Sequence, residues 1–347
     1  MDSKIKILMT GAGAPGGPGI FKALKAEENF DIYTCDMNSN ASGRFLSPKN
    51  FSVVPAATDD EFIPKLLELC LRLSIDVVFP LVTMELFKLS ETKNRFEEHG
   101  IKVIVSCPFA LKLANDKGRL YTHLSNHNIR VPDFFVVDSM EDLAKRCLQL
   151  GYPAKPVVIK PSVGNGSRGI RVLDESCNRY DLLFNHKPSS LYSNLNDVVS
   201  AVENKEIPEM VVSEFLPGLE LTIDTIVKNG VLLRCLIRTR DSMNNGISTS
   251  GRFIDNDNIA NYIESIIATI PNLKGPIGFQ VKESSMGEYM LLESNPRIQG
   301  TSVAALGLGI NLPVNAVNIE LDLEISSTYP SSGVAFSRYY SEVFHDQ

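Results

Sequence analysis

Glu293, Asn295 and Arg297 occupy alternate positions in Leu291-Leu292-Glu293-Ser294-Asn295-Pro296-Arg297. At the end of a strand, Glu293 and Asn295 face one side, so both oxygen-bearing side chains can reach one hard cation such as magnesium. Gln280 lies on the preceding strand and can point at the same metal if the two strands pair. Arg297 follows at once, placed to neutralise a transferring phosphoryl group. Magnesium is usually held in this way, by a few protein oxygens completed by nucleotide phosphates.

Two further segments supply polar groups of the same kind. Lys160 ends a β-run and precedes Pro161-Ser162-Val163-Gly164-Asn165-Gly166-Ser167-Arg168-Gly169, after which Ile170-Arg171-Val172 reads as another strand. A glycine loop of this kind can fold its backbone N–H groups, those of Gly166 and Ser167 among them, over phosphates while the lysine adds a point charge. The plainer alternative is an ordinary hairpin. Glu214-Phe215-Leu216-Pro217-Gly218-Leu219-Glu220 sets two carboxylates about a tight turn. Glu214 and Glu220 can accept from an adenine amino group or ribose hydroxyls, and the backbone of Phe215 and Leu216 can pair with a purine edge. Two solvated glutamates on an exposed turn would look the same.

A competing signal stands near the start. Gly11-Ala12-Gly13-Ala14-Pro15-Gly16 fits G-x-G-x-x-G between a strand and a helix, with Asp36 at a strand end farther on. This is the dinucleotide fingerprint, and by itself it raises a nicotinamide-dependent oxidoreductase as one reading. The alternative is a sharp strand-to-helix turn that glycine permits.

The elements that must carry these residues change character along the chain. Strand patterns at Ile5–Met9, Asp31–Cys35, Phe51–Val54, Asp76–Pro80 and Ile101–Val105 alternate with helical ones, Glu61–Leu73 among them, which predicts a doubly wound α/β domain. Ser139 can cap a helix to about Leu150, with Asp142 at the capping-box position and Gly151 as the stop. Strands then follow in antiparallel-looking succession at 157–160, 169–172, 210–213, 219–227, 231–238, 277–282 and 289–292, with a helix at about 258–270. The second half is therefore expected to be α+β. Asn185–Asn196 reads as a mobile polar loop, and Arg238, Arg240 and Arg252 bracket the polar segment Asp241–Gly251. Arg240 or Arg252 could fork a substrate carboxylate.

Composition narrows the classes. Hydrophobic residues make up 44% of the 347 residues and charged residues 22%, so the chain should fold into two or three domains. A net charge of -7 gives no basic field for nucleic acid. No apolar run is long enough to cross a bilayer, and a cytoplasmic location is the expectation. The six cysteines form no C-x-x-C pair and are expected to be reduced thiols.

Taken in order, Asp116-Lys117, Val158-Ile159-Lys160-Pro161, the glycine loop, the Glu214 turn and Glu293-x-Asn295-Pro296-Arg297 resemble the ATP-grasp superfamily. Within it they look most like the ATP-grasp units of carbamoyl-phosphate synthase large subunits and their short stand-alone relatives. The resemblance implies a pre-ATP-grasp domain at 1–112, a glycine-loop subdomain at 113–190 and a metal-binding subdomain at 191–347. It implies ATP with Mg2+, or Mn2+ in its place. Lys117 and Lys160 would touch the phosphates under the loop from Ser162 to Gly169. Glu214, Phe215 and Leu216 would hold adenine and Glu220 the ribose. Gln280, Glu293 and Asn295 would hold the metal, and Arg297 the γ-phosphate. The implied activity is an ADP-forming ligase joining a small-molecule carboxylate to an amine or ammonia, with a homodimer left open. In that family the first glycine turn lines the substrate cleft. A small-molecule kinase, a nicotinamide oxidoreductase and a silent ATP-binding subunit are the alternatives.

Overall fold

The computed structural model describes residues 4–164, 166–185, 191–202, 205–244, 246–325 and 332–344. Strands β1 (Ile5–Thr10), β2 (Phe30–Asp36), β3 (Phe51–Val53), β4 (Val77–Pro80) and β5 (Lys102–Val103) form a parallel sheet in the order β3-β2-β1-β4-β5. Alternation along β1 sends Ile7 and Met9 to one face and Leu8 to the other, and all three are sealed from solvent. Leu8 packs with helices Phe62–Leu73 and Thr83–Glu91. Ile7 and Met9 pack with helix Gly17–Lys25 and with Leu312–Glu320, which comes from the far end of the chain. The doubly wound expectation holds, although β5 is shorter than the 101–105 run suggested.

The second sheet contains β6 (Phe134–Val137), β7 (Val157–Pro161), β8 (Arg171–Leu173), β9 (Tyr192–Ser193) and β10 (Met210–Glu214), in the order β6-β10-β7-β8-β9. Its pairs are antiparallel except β8 with β9. Because β10 inserts between β6 and β7, the expected division at residue 190 falls inside this sheet. The division at 112 falls inside helix Pro108–Asn115. Leu111 of that helix packs in the first domain, whereas Ala110, Leu113 and Ala114 pack under the third sheet. Residues 186–190 of the expected mobile loop lie outside the described residues. The rest carries β9 and the start of helix Leu195–Val202, because Leu195 and Val198 tuck against the core of the second sheet.

The third sheet holds β11 (Glu220–Lys228), β12 (Val231–Thr239), β13 (Ser242–Asn244), β14 (Ile247–Ile254), β15 (Gly275–Glu283), β16 (Tyr289–Asn295) and β17 (Ala335–Ser337). Its order is β13-β14-β12-β11-β15-β16, with β17 on β14. Helices Lys117–Asn126 and Asp257–Ala268 bury Leu120, Leu124, Ile263, Ile266 and Ile267 beneath it. The polar stretch Asp241–Gly251 is the hairpin β13–β14 rather than an irregular segment, and Asn245 lies outside the described residues. Among the described residues no single helix is long and apolar enough to cross a membrane.

Candidate active site

The three expected metal ligands lie side by side. Gln280 on β15 pairs directly with Glu293 on β16, and Thr222 on β11 pairs with Gln280 from the other side. Directly opposed residues of antiparallel strands share a face. Glu220, two positions before Thr222, shares it too, as does Asn295 two positions after Glu293. Asn295 Nδ2 donates to Glu293 Oε1 at 3.0 Å, and Lys117 Nζ lies 3.3 Å from Glu293 Oε2.

Lys117 reaches this face because Asp116 caps helix Lys117–Asn126, accepting the Arg119 N–H at 3.0 Å. The same carboxylate accepts from Ser162 Oγ at 2.5 Å, and Ser162 Oγ in turn accepts the Gly118 N–H at 3.0 Å. A Cβ on Gly118 would fall 2.7 Å from Ser162 Oγ, so glycine lets helix and loop meet. Lys117 Nζ also donates to Gly164 O at 3.2 Å. Among the described loop residues, Gly166, Ser167 and Gly169 have φ of +66°, +59° and +75°. Ser167 Oγ lies 3.1 Å from where a Cβ of Gly246 would stand, so the glycine loop meets the tip of the β13–β14 hairpin.

Lys160 is 4% exposed, and its Nζ donates to Tyr121 Oη at 2.9 Å and Leu292 O at 3.1 Å. Burial, reinforced by the charge on Lys117, pushes its pKa down to about 7. Arg297, on the turn after β16, donates through Nε to Thr83 Oγ1 at 2.9 Å and through Nη1 to Ile298 O at 2.8 Å. Arg240 lies 3.1 Å from Glu220 Oε1 and donates to Thr222 Oγ1 at 3.1 Å and Gly246 O at 2.7 Å. Glu214 closes β10, and one of its carboxylate oxygens accepts the Asp133 N–H at 3.0 Å. Leu216 beyond it is buried, and the Phe215 ring lies 5.0 Å below Lys282 Nζ.

The structure thus gathers Lys117, Lys160, Glu220, Arg240, Gln280, Glu293 and Asn295 on one surface. Arg238, opposite Thr222 on β12, shares this face but is taken up by a buried ion pair, and Arg252 does not join it. Arg238 is buried against Asp224 at 2.8 Å, whose other oxygen accepts from Gln299 Nε2 at 3.1 Å and Ser302 Oγ at 2.6 Å, while Arg252 is exposed. Sequence reasoning missed Tyr121, Thr222 and Thr83. Tyr121 stands one helical turn after Lys117, and that spacing was the available signal.

The ligand set fits a hard divalent cation. One carboxylate and two side-chain amides meet on one face, and the ammonium of Lys117 already sits against Glu293 as a positive charge. Asn295 now offers its amide nitrogen to Glu293, and rotating that amide would present its oxygen instead. Among the described residues no group of three His, Cys, Asp or Glu is placed to hold a metal, so phosphate oxygens would have to complete the shell.

The first glycine turn is explained by packing. Both oxygens of Asp36 are engaged, by the N–H groups of Gly13 and Asn38, each at 2.8 Å. A Cβ on Gly16 would fall 2.3 Å from Gly300 Cα, so the turn lies directly against the segment that follows Arg297.

Residues 7–104 match the PylC-like N-terminal domain family, and residues 206–339 match the family described as ATP-grasp in the biosynthetic pathway with Ter operon. No curated protein matches the sequence. Among solved structures, the ADP complex of an N5-carboxyaminoimidazole ribonucleotide synthetase superposes with a TM-score of 0.69 at 14% identity, covering 94% of this chain and 79% of that one. Biotin carboxylase from Campylobacter jejuni, in a β,γ-ATP complex, gives 0.64 at 18% identity over 93% and 72%. An L-amino acid ligase from Bacillus licheniformis gives 0.65 at 15% identity over 95% and 77%. Residues 206–339 thus match an ATP-grasp family, and over nearly its whole length the chain shares the fold of these solved structures.

Proposed function

We propose that the chain is an ATP-dependent, ADP-forming ligase that joins a carboxylate to an amine or ammonia through an acyl-phosphate. The observation that carries this reading is the meeting of Lys117, Lys160 and the Gln280–Glu293–Asn295 trio on one face. The fold agrees, since similar structures include an ADP complex, an ATP complex and an amino acid ligase.

In this reading Lys117 and Lys160 bind the phosphates, with Gly166 and Ser167 above them. Glu214, Phe215 and Leu216 take the adenine, and Glu220 takes the ribose. Gln280, Glu293 and Asn295 would hold magnesium, or manganese in its place, which would offset charge on the phosphates. Arg297 steadies the phosphoryl group in transfer, and Arg240 orients Glu220 and neighbours the acceptor. A carboxylate oxygen of the substrate attacks the γ-phosphorus as the bond to the β-bridging oxygen breaks, and ADP leaves. The amine nitrogen then attacks the acyl carbon, losing a proton as phosphate departs. No side chain need act as a nucleophile.

Hydroxylamine tests the reading. Screened with carboxylates and ATP, it should trap a hydroxamate with one ADP formed for each. AMP in place of ADP would replace the reading with an adenylating one, and a stable phosphorylated alcohol would replace it with a kinase.

A further inference from the structure

The ladder between β15 and β16 is irregular beside the metal trio. Gln280 pairs with Glu293 and Val281 with Leu291, which leaves Leu292 as a bulge with no partner on β15. Bulges re-aim side chains next to functional sites, and they release a backbone carbonyl that must find another donor. The Leu292 carbonyl has two candidate donors, Lys160 Nζ at 3.1 Å and Tyr121 Oη at 2.9 Å. Tyr121 Oη also lies 2.8 Å from Leu291 O, and it accepts from Lys160 Nζ at 2.9 Å.

The donor arithmetic fixes what each group does. A phenol carries one proton and two lone pairs, so the Tyr121 proton serves the leucine carbonyls and a lone pair is presented to the lysine. An ammonium has three N–H groups. Those of Lys160 go to Tyr121 and to Leu292, and the third has no acceptor among the described residues. The ring of Tyr121 is immobile: it is fully buried, packs edge-on against Phe134 at 5.3 Å and lies 4.9 Å from Lys160 Nζ. Phenylalanine would supply all of that packing. The hydroxyl adds a second fixed acceptor to the Leu292 carbonyl in holding the end of the lysine's four-carbon stem.

We propose that Tyr121 is the positioning residue of the phosphate lysine: its hydroxyl, fixed by the bulge carbonyls, holds Lys160 Nζ with one N–H left for a nucleotide phosphate. The proposal rests on the nucleotide site assigned above. It links three elements, because helix Lys117–Asn126 carries both Lys117 and Tyr121, β7 carries Lys160, and β16 carries the bulge and Glu293. One hydroxyl thereby sets the register of both lysines against the metal face.

Magnesium-ADP binding, measured by calorimetry on the full chain, separates positioning from simple cohesion. Lys160→Met keeps the unbranched shape and should weaken ADP. Tyr121→Phe should weaken it by about tenfold, the loss expected of one hydrogen bond to a charged group. Combining the two should weaken ADP no further than Lys160→Met alone, because the hydroxyl acts only through the lysine. If Tyr121→Phe lowers Tm but leaves ADP affinity intact, or if the two losses add in the double variant, the hydroxyl is a structural tie and the proposal is overturned. Unchanged affinity in Lys160→Met would instead remove the nucleotide-site assignment, and the proposal with it.

Discussion

Arg297 donates through Nε to Thr83 Oγ1 at 2.9 Å, joining the turn after β16 to the helix Thr83–Glu91 of the parallel-sheet domain. The residue assigned to the transferring phosphoryl group is therefore oriented by a different domain from the one that carries the metal trio. Burial already disfavours the charged guanidinium, and the nearby Glu293 offsets part of that cost. Thr83→Val keeps the volume of the side chain and removes only the acceptor. Steady-state ADP release should fall about tenfold, in line with one lost hydrogen bond to a charged group, while Tm changes little. Wild-type turnover in that variant would mean that the Ile298 carbonyl alone orients the arginine.

Lys160 should take up a proton when nucleotide binds. Its pKa of about 7 lies below the ordinary lysine value because the side chain is buried beside Lys117. Above pH 7 the lysine is largely neutral in the free protein, whereas a phosphate chain favours the charged form and draws the proton back. At pH 8 binding should consume nearly one proton, and at pH 6 the uptake should vanish because the group is already charged. Calorimetry of ADP binding in two buffers of different ionisation enthalpy measures this directly. Equal heats in both buffers at pH 8 would contradict the assignment of Lys160 to the phosphates.

How much of this was legible in the sequence depends on whether the signal was local. Glu293, Asn295 and Arg297 sit on one strand and turn, so a period of two brought the first two together. Ser139 caps helix Met140–Gln149 and Gly151 stops it in the left-handed region, because caps are also read within one turn. Interleaving was not legible. β10 enters the second sheet between β6 and β7, and Leu312–Glu320 completes the core of the first domain, and neither placement follows from any nearby residue. The hairpin β13–β14 was missed for a different reason: Ser242 bonds to both Thr249 and Ser250 in strands open to solvent, so the apolar alternation that marks a strand is absent. The Asn-Gly pair in the sequence of this segment was the turn signal that pointed to a hairpin.

Glu293→Gln keeps size and removes charge from the centre of the site. Lys117 would lose its ion-pair partner, and the proposed metal-binding trio its one carboxylate. Turnover should drop on the order of 10²-fold or more, by analogy with other losses of transition-state electrostatics. Glu293 is only half-buried, so Tm should barely move. Near wild-type turnover at saturating magnesium would return Glu293 to the status of an ordinary strand-end residue.

Gly16 separates the dinucleotide reading of the first glycine turn from the packing one. If Gly16 admits a pyrophosphate, its substitution should abolish NADH binding and leave the rest of the protein alone. If it admits Gly300, a Cβ placed 2.3 Å from the Gly300 Cα must push apart the first domain and the segment Arg297–Ser302. That segment is held from the other side as well, because Gln299 and Ser302 both bond to the buried Asp224. It cannot simply retreat, and two backbones in contact have no flexible side chain to absorb the strain. Gly16→Ala should therefore lower Tm and reduce turnover together, since Arg297 lies at the head of the displaced segment. NADH should give no saturable fluorescence change with the wild-type protein, because Asp36, the residue that would hold the ribose, already has both oxygens bonded to backbone N–H groups. Tight NADH binding by the wild type, lost in Gly16→Ala without a change in Tm, would reverse the packing account.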